Sequence, residues 1–233
     1  RAKIKPFRDL RENKYQWIIA GAASKEWAKK VFPGVPAKKA VNMLWDAILK
    51  TSRCDDDPIK AWEQHNADLK KRFTYLNSLN LDYLHYESSN GTNFKVWLNP
   101  KCLWAGGGET GLGSGIYYNP NIPSEEVFTS PISGKAEGIV YSTKPLSYQG
   151  ELIENFSVRF KDGKAVEVKA EKGQNLLEEL IKMDDGSCKL GEVALVPYDS
   201  PINQTGLLFY NTLYDENAAC HLALGFGFTN CIK

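Results

Sequence analysis

One change of period constrains this chain more than any other feature. Up to about residue 80 apolar side chains recur at helical steps, and from about residue 83 they alternate as in strands. In the first part Ser24 offers an N-cap to Lys25–Val31, and Pro33-Gly34 stops that helix. Pro36 opens a second helix with Ala40, Met43, Leu44, Ala47 and Ile48 on one stripe. The acidic run Asp55-Asp56-Asp57-Pro58 begins a third, placing Trp62, His65, Leu69 and Phe73 on one side. Ahead of these, Tyr15–Ala22 reads as a short buried parallel strand.

In the second part Leu84–Tyr86 and Asn93–Leu98 flank an Asn90-Gly91 turn, a hairpin signal. Strands are expected at Gly138–Tyr141, Leu152–Phe160 and Ala165–Ala170, the last two joined at Asp162-Gly163. A helix over Asn175–Met183 ends at Asp185-Gly186. Gly191–Val196 and Gly206–Phe209 read as strands, and Asp215–Gly225 as a helix. The fold class is therefore mixed α/β (α+β), with an α/β portion over 1–90 and a β-rich portion over 91–233. One strand and three helices cannot complete a sheet core, and the chain stops just after a glycine-rich turn. Both ends thus read as cut, with 1–90 a partial N-terminal domain.

With 233 residues, 42% of them hydrophobic and 24% charged, the chain can bury a real core, and disorder or coiled coil is excluded. A net charge of +1 with interspersed signs argues against a nucleic-acid partner. No apolar run reaches the roughly 18 residues of a membrane span. Five cysteines without a CxxC pair indicate free thiols and a reducing, cytoplasmic setting.

Chemistry-bearing residues are few. Of the three histidines, His65 lies beside Trp62 and Phe73 on a helix, and His85 sits between Leu84 and Tyr86 in a strand. His221, on the expected helix after Phe209–Thr212, is placed as a metal ligand would be. Glu125-Glu126 stands between a proline-rich loop and Val127-Phe128; on a strand only one of the pair can enter a given site. Glu192 interrupts an apolar run and needs either a cation, an arginine or an edge facing water. Two carboxylates and an imidazole suit zinc, cobalt, manganese or magnesium. There is no HExxH and no GxSxG, and the GxGxxG at Gly106–Gly111 is followed by no helix, so it reads as a mobile loop.

Three long segments carry a family likeness: Asn121–Thr129, Leu190–Pro197, and Phe209–Ala218 with His221–Gly225. Trp27–Pro33, Asp57-Pro58 with Trp62 and His65, Gly91-Thr92 and Ser200-Pro201-Ile202 agree. Together they resemble the AmpS/AmpT/PepS (thermophilic-type, leucyl-aminopeptidase-like) metallo-aminopeptidases over nearly the whole chain. The resemblance implies a cytoplasmic homodimer that removes N-terminal residues from peptides with a free N-terminus, using two divalent ions (zinc, cobalt, manganese or magnesium). It implies that Glu126, Glu192 and His221 are metal ligands, within a catalytic domain over 91–233. The spacing of the acidic motifs selects Glu126 over Glu125, and leaves Glu125 as a proton shuttle.

Two departures accompany the likeness. Phe228 occupies a position where the family often has a tyrosine. The family's remaining ligands, a His-x-Asp pair, lie downstream of Lys233, and an N-terminal portion lies upstream of Arg1. The expectation is a core fragment that binds metal weakly and catalyses poorly. The alternatives are a non-catalytic peptide- or sugar-binding module lined by Trp97, Trp104, Tyr117, Tyr118 and Tyr148, and a glycosidase using two of Glu125, Glu126 and Glu192.

Overall fold

The computed structural model describes residues 15–232. The chain begins with β1 (Ile19–Ala20) and three helices, α1 (Lys25–Val31), α2 (Ala37–Thr51) and α3 (Pro58–Ser78). Ser24 Oγ accepts the Trp27 N–H at 3.1 Å, so the expected N-cap is formed, and the Asp57 carboxylate caps α3 by accepting the Lys60 N–H at 3.1 Å. On α2 the four-residue steps Ala40, Leu44 and Ile48 place one stripe in the core.

Strands follow: β2 (Tyr83–Glu87), β3 (Asn93–Leu98), β4 (Ala105–Gly106), β5 (Glu109–Thr110), β6 (Tyr117–Tyr118), β7 (Asn121–Ile122) and β8 (Val127–Thr129). The long ladder β9 (Pro131–Tyr141), β10 (Leu146–Tyr148), β11 (Glu151–Lys161) and β12 (Lys164–Lys172) comes next. The chain then runs through α4 (Gln174–Ile181), β13 (Leu190–Leu195), α5 (Pro201–Gln204), α6 (Thr212–Glu216) and β14 (His221–Leu224). One sheet has the order β10-β11-β9-β3-β2, with β12 on β11; a second has the order β14-β13-β8-β4. The fold is mixed α/β, as the change of period implies. Asp162 and Gly163 both adopt positive φ, the geometry of a tight hairpin turn, and a Cβ on Gly163 would collide with the Gly134 backbone.

Among the described residues two hydrophobic clusters form, and they do not follow the sequence order. Leu69 of α3 joins Phe94, Val96, Val127, Phe160 and Val193 from both sheets. The α1 and α2 stripes pack instead against Ile202, Phe209, Tyr214 and Ala218 from the far end of the chain.

Three local expectations are corrected. The strand near Tyr15–Ala22 is parallel, pairing Ile19 with Asn121, but it is short and open: Ile18 and Ile19 are 60% and 51% exposed. Gly206–Phe209 forms no strand; the Phe209 N–H donates to Asp215 Oδ1 at 2.7 Å, and its carbonyl accepts from Trp27 Nε1. The helix expected over Asp215–Gly225 stops at Glu216, and His221 lies on β14. The Gly106–Gly111 segment also contributes paired residues, Gly106 opposite Val127 and Glu109 opposite Tyr118.

Candidate metal centre

The register of the second sheet explains how distant residues meet. β13 pairs Ala194 with His221 and Glu192 with Ala223 on one side, and Ala194 with Phe128 and Val193 with Thr129 on the other. Directly paired residues share a face, as do alternate residues of a strand. Glu192, Ala194, His221 and Phe128 therefore line one face, while Val127, Thr129 and Val193 turn into the core. The close approach of β13 to the chain beyond β14 requires Gly191, where a Cβ would lie 2.2 Å from the Phe226 carbonyl oxygen.

Glu125 and Glu126 immediately precede β8, and alternation sends them to opposite sides. Glu126 turns towards Glu192 and His221: one ligand atom from each of the three lies within 4.8 Å of the other two. His221 Nε2 is 3.0 Å from Glu126 Oε2. His221 Nδ1–H donates to the Ala219 carbonyl at 3.0 Å, which leaves Nε2 as the nitrogen facing the carboxylates.

The electrostatics of this face are strained by like charge. Burial, and then the Glu126 charge, push the Glu192 carboxyl up to about 7. Glu216, at the end of α6, is also pushed up to about 7, by burial and then by Glu126. Burial works to lower His221, but its hydrogen bond to Glu126 and that carboxylate's charge outweigh it and push the imidazole up to about 9. Glu216 is the acidic neighbour that the sequence reading did not single out. The available signal was the pair Asp215-Glu216. Asp215 is committed to the N–H groups of Phe209 and Asn211, at 2.7 and 2.9 Å, whereas Glu216 feels the charges of Glu126 and His221.

The other singled-out residues lie elsewhere. Glu125 is 1% exposed and meets Arg53, whose Nη2 is 2.8 Å from Oε2, while Nη1 bonds Oε1. His65 Nε2–H donates to the Ser124 carbonyl at 2.7 Å and lies 3.9 Å from Glu125 Oε1. Burial lowers the His65 pKa below its usual value. His85 is exposed on β2 and bonds Asn93. Phe228 rests on Phe128, with ring centroids 5.1 Å apart, on the face that carries the cluster. Trp104 is 3% exposed inside the core, so it forms no wall of an aromatic groove.

The donor set fits a divalent cation. With Nδ1–H given to Ala219, His221 turns Nε2 towards the buried Glu126 Oε2, with a proton between them when the imidazole is charged and a lone pair towards the carboxylate when it is neutral. Two acceptors 3.0 Å apart need either a proton or a cation between them. Donors about 2.0–2.1 Å from a zinc ion stand roughly 3.3 Å apart; the His221 Nε2–Glu126 Oε2 pair is at 3.0 Å, and all three donors lie within 4.8 Å of one another.

Comparison with known proteins agrees. The family model for thermophilic metalloprotease (M29) matches residues 2–233. Aminopeptidase AmpS of Bacillus subtilis is 48% identical over 217 residues, covering 93% of this chain and 52% of that protein. Aminopeptidase T of Thermus thermophilus is 48% identical over 210 residues, covering 90% and 51%. Aminopeptidase PepS of Streptococcus thermophilus is 42% identical over 235 residues, covering 100% and 56%. The solved structure of wild-type AmpT from Thermus thermophilus superposes with a TM-score of 0.91 at 43% identity, covering 98% of this chain and 56% of that one. The chain thus spans about half the length of the relatives it matches. The β13-centred face with its two carboxylates and imidazole, and the match from residue 2 to 233, lead to one assignment: this chain belongs to the thermophilic metalloprotease family M29.

Proposed function

We propose that this chain carries metal-ligating and catalytic residues of an aminopeptidase that releases N-terminal amino acids from peptides, with Glu126, Glu192 and His221 as ligands for divalent ions. The observation that carries the reading is the convergence of Glu126, Glu192 and His221, one ligand atom of each within 4.8 Å of the others, with His221 Nε2 3.0 Å from Glu126 Oε2. The relatives' names, all aminopeptidases, support the substrate class. Two ions, as the family likeness implies, would supply Lewis acidity, acidifying a water and polarising the scissile carbonyl.

The chain's own residues supply orientation and charge. The Ala219 carbonyl fixes the tautomer of His221, so that Nε2 is the donor atom. Glu126, Glu192 and Glu216 gather negative charge that attracts cations, and the same charge can hold the ammonium of a peptide N-terminus. Phe128 and Phe228 give the face an apolar edge. The proton-shuttle role expected of Glu125 is not part of this proposal, because Arg53 engages both of its carboxylate oxygens. A homodimer in the cytoplasm completes it; Cys54, Cys188, Cys220 and Cys231 form no disulfide, which supports a reducing setting.

The test is a titration of this chain with Zn²⁺ or Co²⁺, alongside hydrolysis of leucine p-nitroanilide with and without a chelator. Metal binding that Glu192→Gln weakens at least tenfold, with any hydrolysis abolished by chelation, supports the reading. Metal-independent peptide binding, or glycoside hydrolysis that survives chelation, overturns it.

A further inference from the structure

Behind the candidate metal face lies a second polar assembly, buried between α3, the end of α2 and the segment 124–126. Its centre is Glu125, 1% exposed and gripped by both Nη atoms of Arg53. The Glu125 backbone N–H donates to Asn217 Oδ1 at 2.6 Å, and Asn217, fully buried, bonds the Leu213 carbonyl through Nδ2 at 2.9 Å. Asn217 caps α6 and stands between Glu216 and His221 in the chain. The residue before Glu126 is thus tied by its side chain to α2 and by its backbone to the segment that carries His221.

Arg53 occupies an unusual position for such a grip. It follows the α2 C-cap Ser52 with φ 54°, and its N–H bonds the Lys50 carbonyl at 3.2 Å while Cys54 N–H bonds the Leu49 carbonyl at 2.8 Å. This is a Schellman ending, whose left-handed residue is ordinarily glycine. An arginine there accepts backbone strain at the one point from which its guanidinium reaches Glu125.

We propose that Arg53 and Glu125 form a positioning pair, which locks the segment 124–126 from behind so that the Glu126 carboxylate faces His221. The proposal rests on the metal-centre reading above. Of the two roles open to Glu125, proton shuttle or positioning, the contacts favour the second, because both carboxylate oxygens are taken up by Arg53. Supports that orient ligands without touching the metal typically change affinity by about 10–100-fold.

Charge and geometry predict opposite signs for one substitution, which makes the pair testable. Arg53→Gln removes a cation from the neighbourhood of the cluster; through charge alone it would tighten Co²⁺ binding, whereas loss of the lock weakens it. Arg53→Lys keeps the charge but loses the two-pronged grip, so charge alone predicts no change. We would measure Co²⁺ affinity and the visible absorption of bound Co²⁺ for the unaltered chain and both variants. Circular dichroism and Tm, read well below unfolding, certify that each is folded. The expected result is at least tenfold weaker binding by Arg53→Gln, a smaller loss for Arg53→Lys, and a shifted absorption band in both. If Arg53→Gln does not fold, Arg53→Lys decides by the same criterion. Unchanged or tighter binding with an unchanged band overturns the positioning role. Absence of Co²⁺ binding by the unaltered chain overturns the metal-centre reading, and this proposal with it.

Discussion

His221 is held from two sides: Nδ1 lies 3.0 Å from the Ala219 carbonyl, and Nε2 lies 3.0 Å from Glu126 Oε2. Its pKa is pushed up to about 9, and those of Glu192 and Glu216 to about 7. A divalent ion takes the deprotonated forms, so its binding releases protons. Metal affinity should therefore rise by about tenfold per pH unit between 7 and 9, and more steeply below 7. Competition titration of Zn²⁺ across this range checks it; a flat profile would count against His221 as a ligand.

In chelator the same groups act on stability. The folded-state pKa of Glu192 lies above its ordinary 4.5, so between about 4.5 and 7 the folded chain holds a proton that the unfolded chain has released. Stability from this group is therefore greatest at low pH and falls as pH rises through 7. Glu192→Gln, a neutral isostere, should stabilise the metal-free chain by roughly 1–3 kcal/mol at pH 8, with no difference below about pH 4.5. Urea unfolding at both pH values measures this, and a stabilisation that persists at low pH would refute the cause given.

Gly191→Ala should damage the sheet and the centre together. The new Cβ would lie 2.2 Å from the Phe226 carbonyl oxygen, a backbone atom that can move only if β13 and its neighbour separate. A loss of about 1–3 kcal/mol is expected, with weakened Zn²⁺ binding in the fraction that stays folded. Denaturant titration and a metal titration on one sample decide whether both change.

Leu44→Ala tests the cluster that ties α2 to the far end of the chain. Leu44 is fully buried beside Ile48 and packs in the cluster that holds Tyr214 and Ala218. The cost should be about 2–5 kcal/mol. Because Tyr214 belongs to α6, next to Glu216, hydrogen exchange should rise at α6 as well as at α2. Exchange confined to α2 would contradict a shared core.

Local signals in the sequence account for most of the helices and for the long ladder. Caps at Ser24 and Asp57, the α2 stripe and the Asp162-Gly163 turn are short-range chemistry, so single residues announce them. The errors fall where tertiary partners decide. Residues after Asp215 have helical local preferences, but Asn217 turns its side chain to Glu125 and Leu213, and His221 is drawn into pairing with Ala194. The Tyr15–Ala22 run looks like a core strand, yet its single parallel partner leaves one side open. At the candidate site, the split of Glu125 and Glu126 is what alternation would give if β8 were extended backwards, and the bonds of Glu125 to Arg53 and Asn217 hold it that way. The nearness of Glu192 to His221 depends on a register that no local pattern records, and Glu216 is recognisable only once Asp215 is seen to be occupied.

Glu126, Glu192 and His221 sit on or beside adjacent strands of one sheet, although long stretches of chain separate them. Their spacing is set by interstrand hydrogen bonds and owes little to the length of the connections. Relatives could lengthen or shorten the loops around β10 and α4 during evolution without moving a ligand, whereas a one-residue slip along β13 would turn Glu192 away from its partners at once.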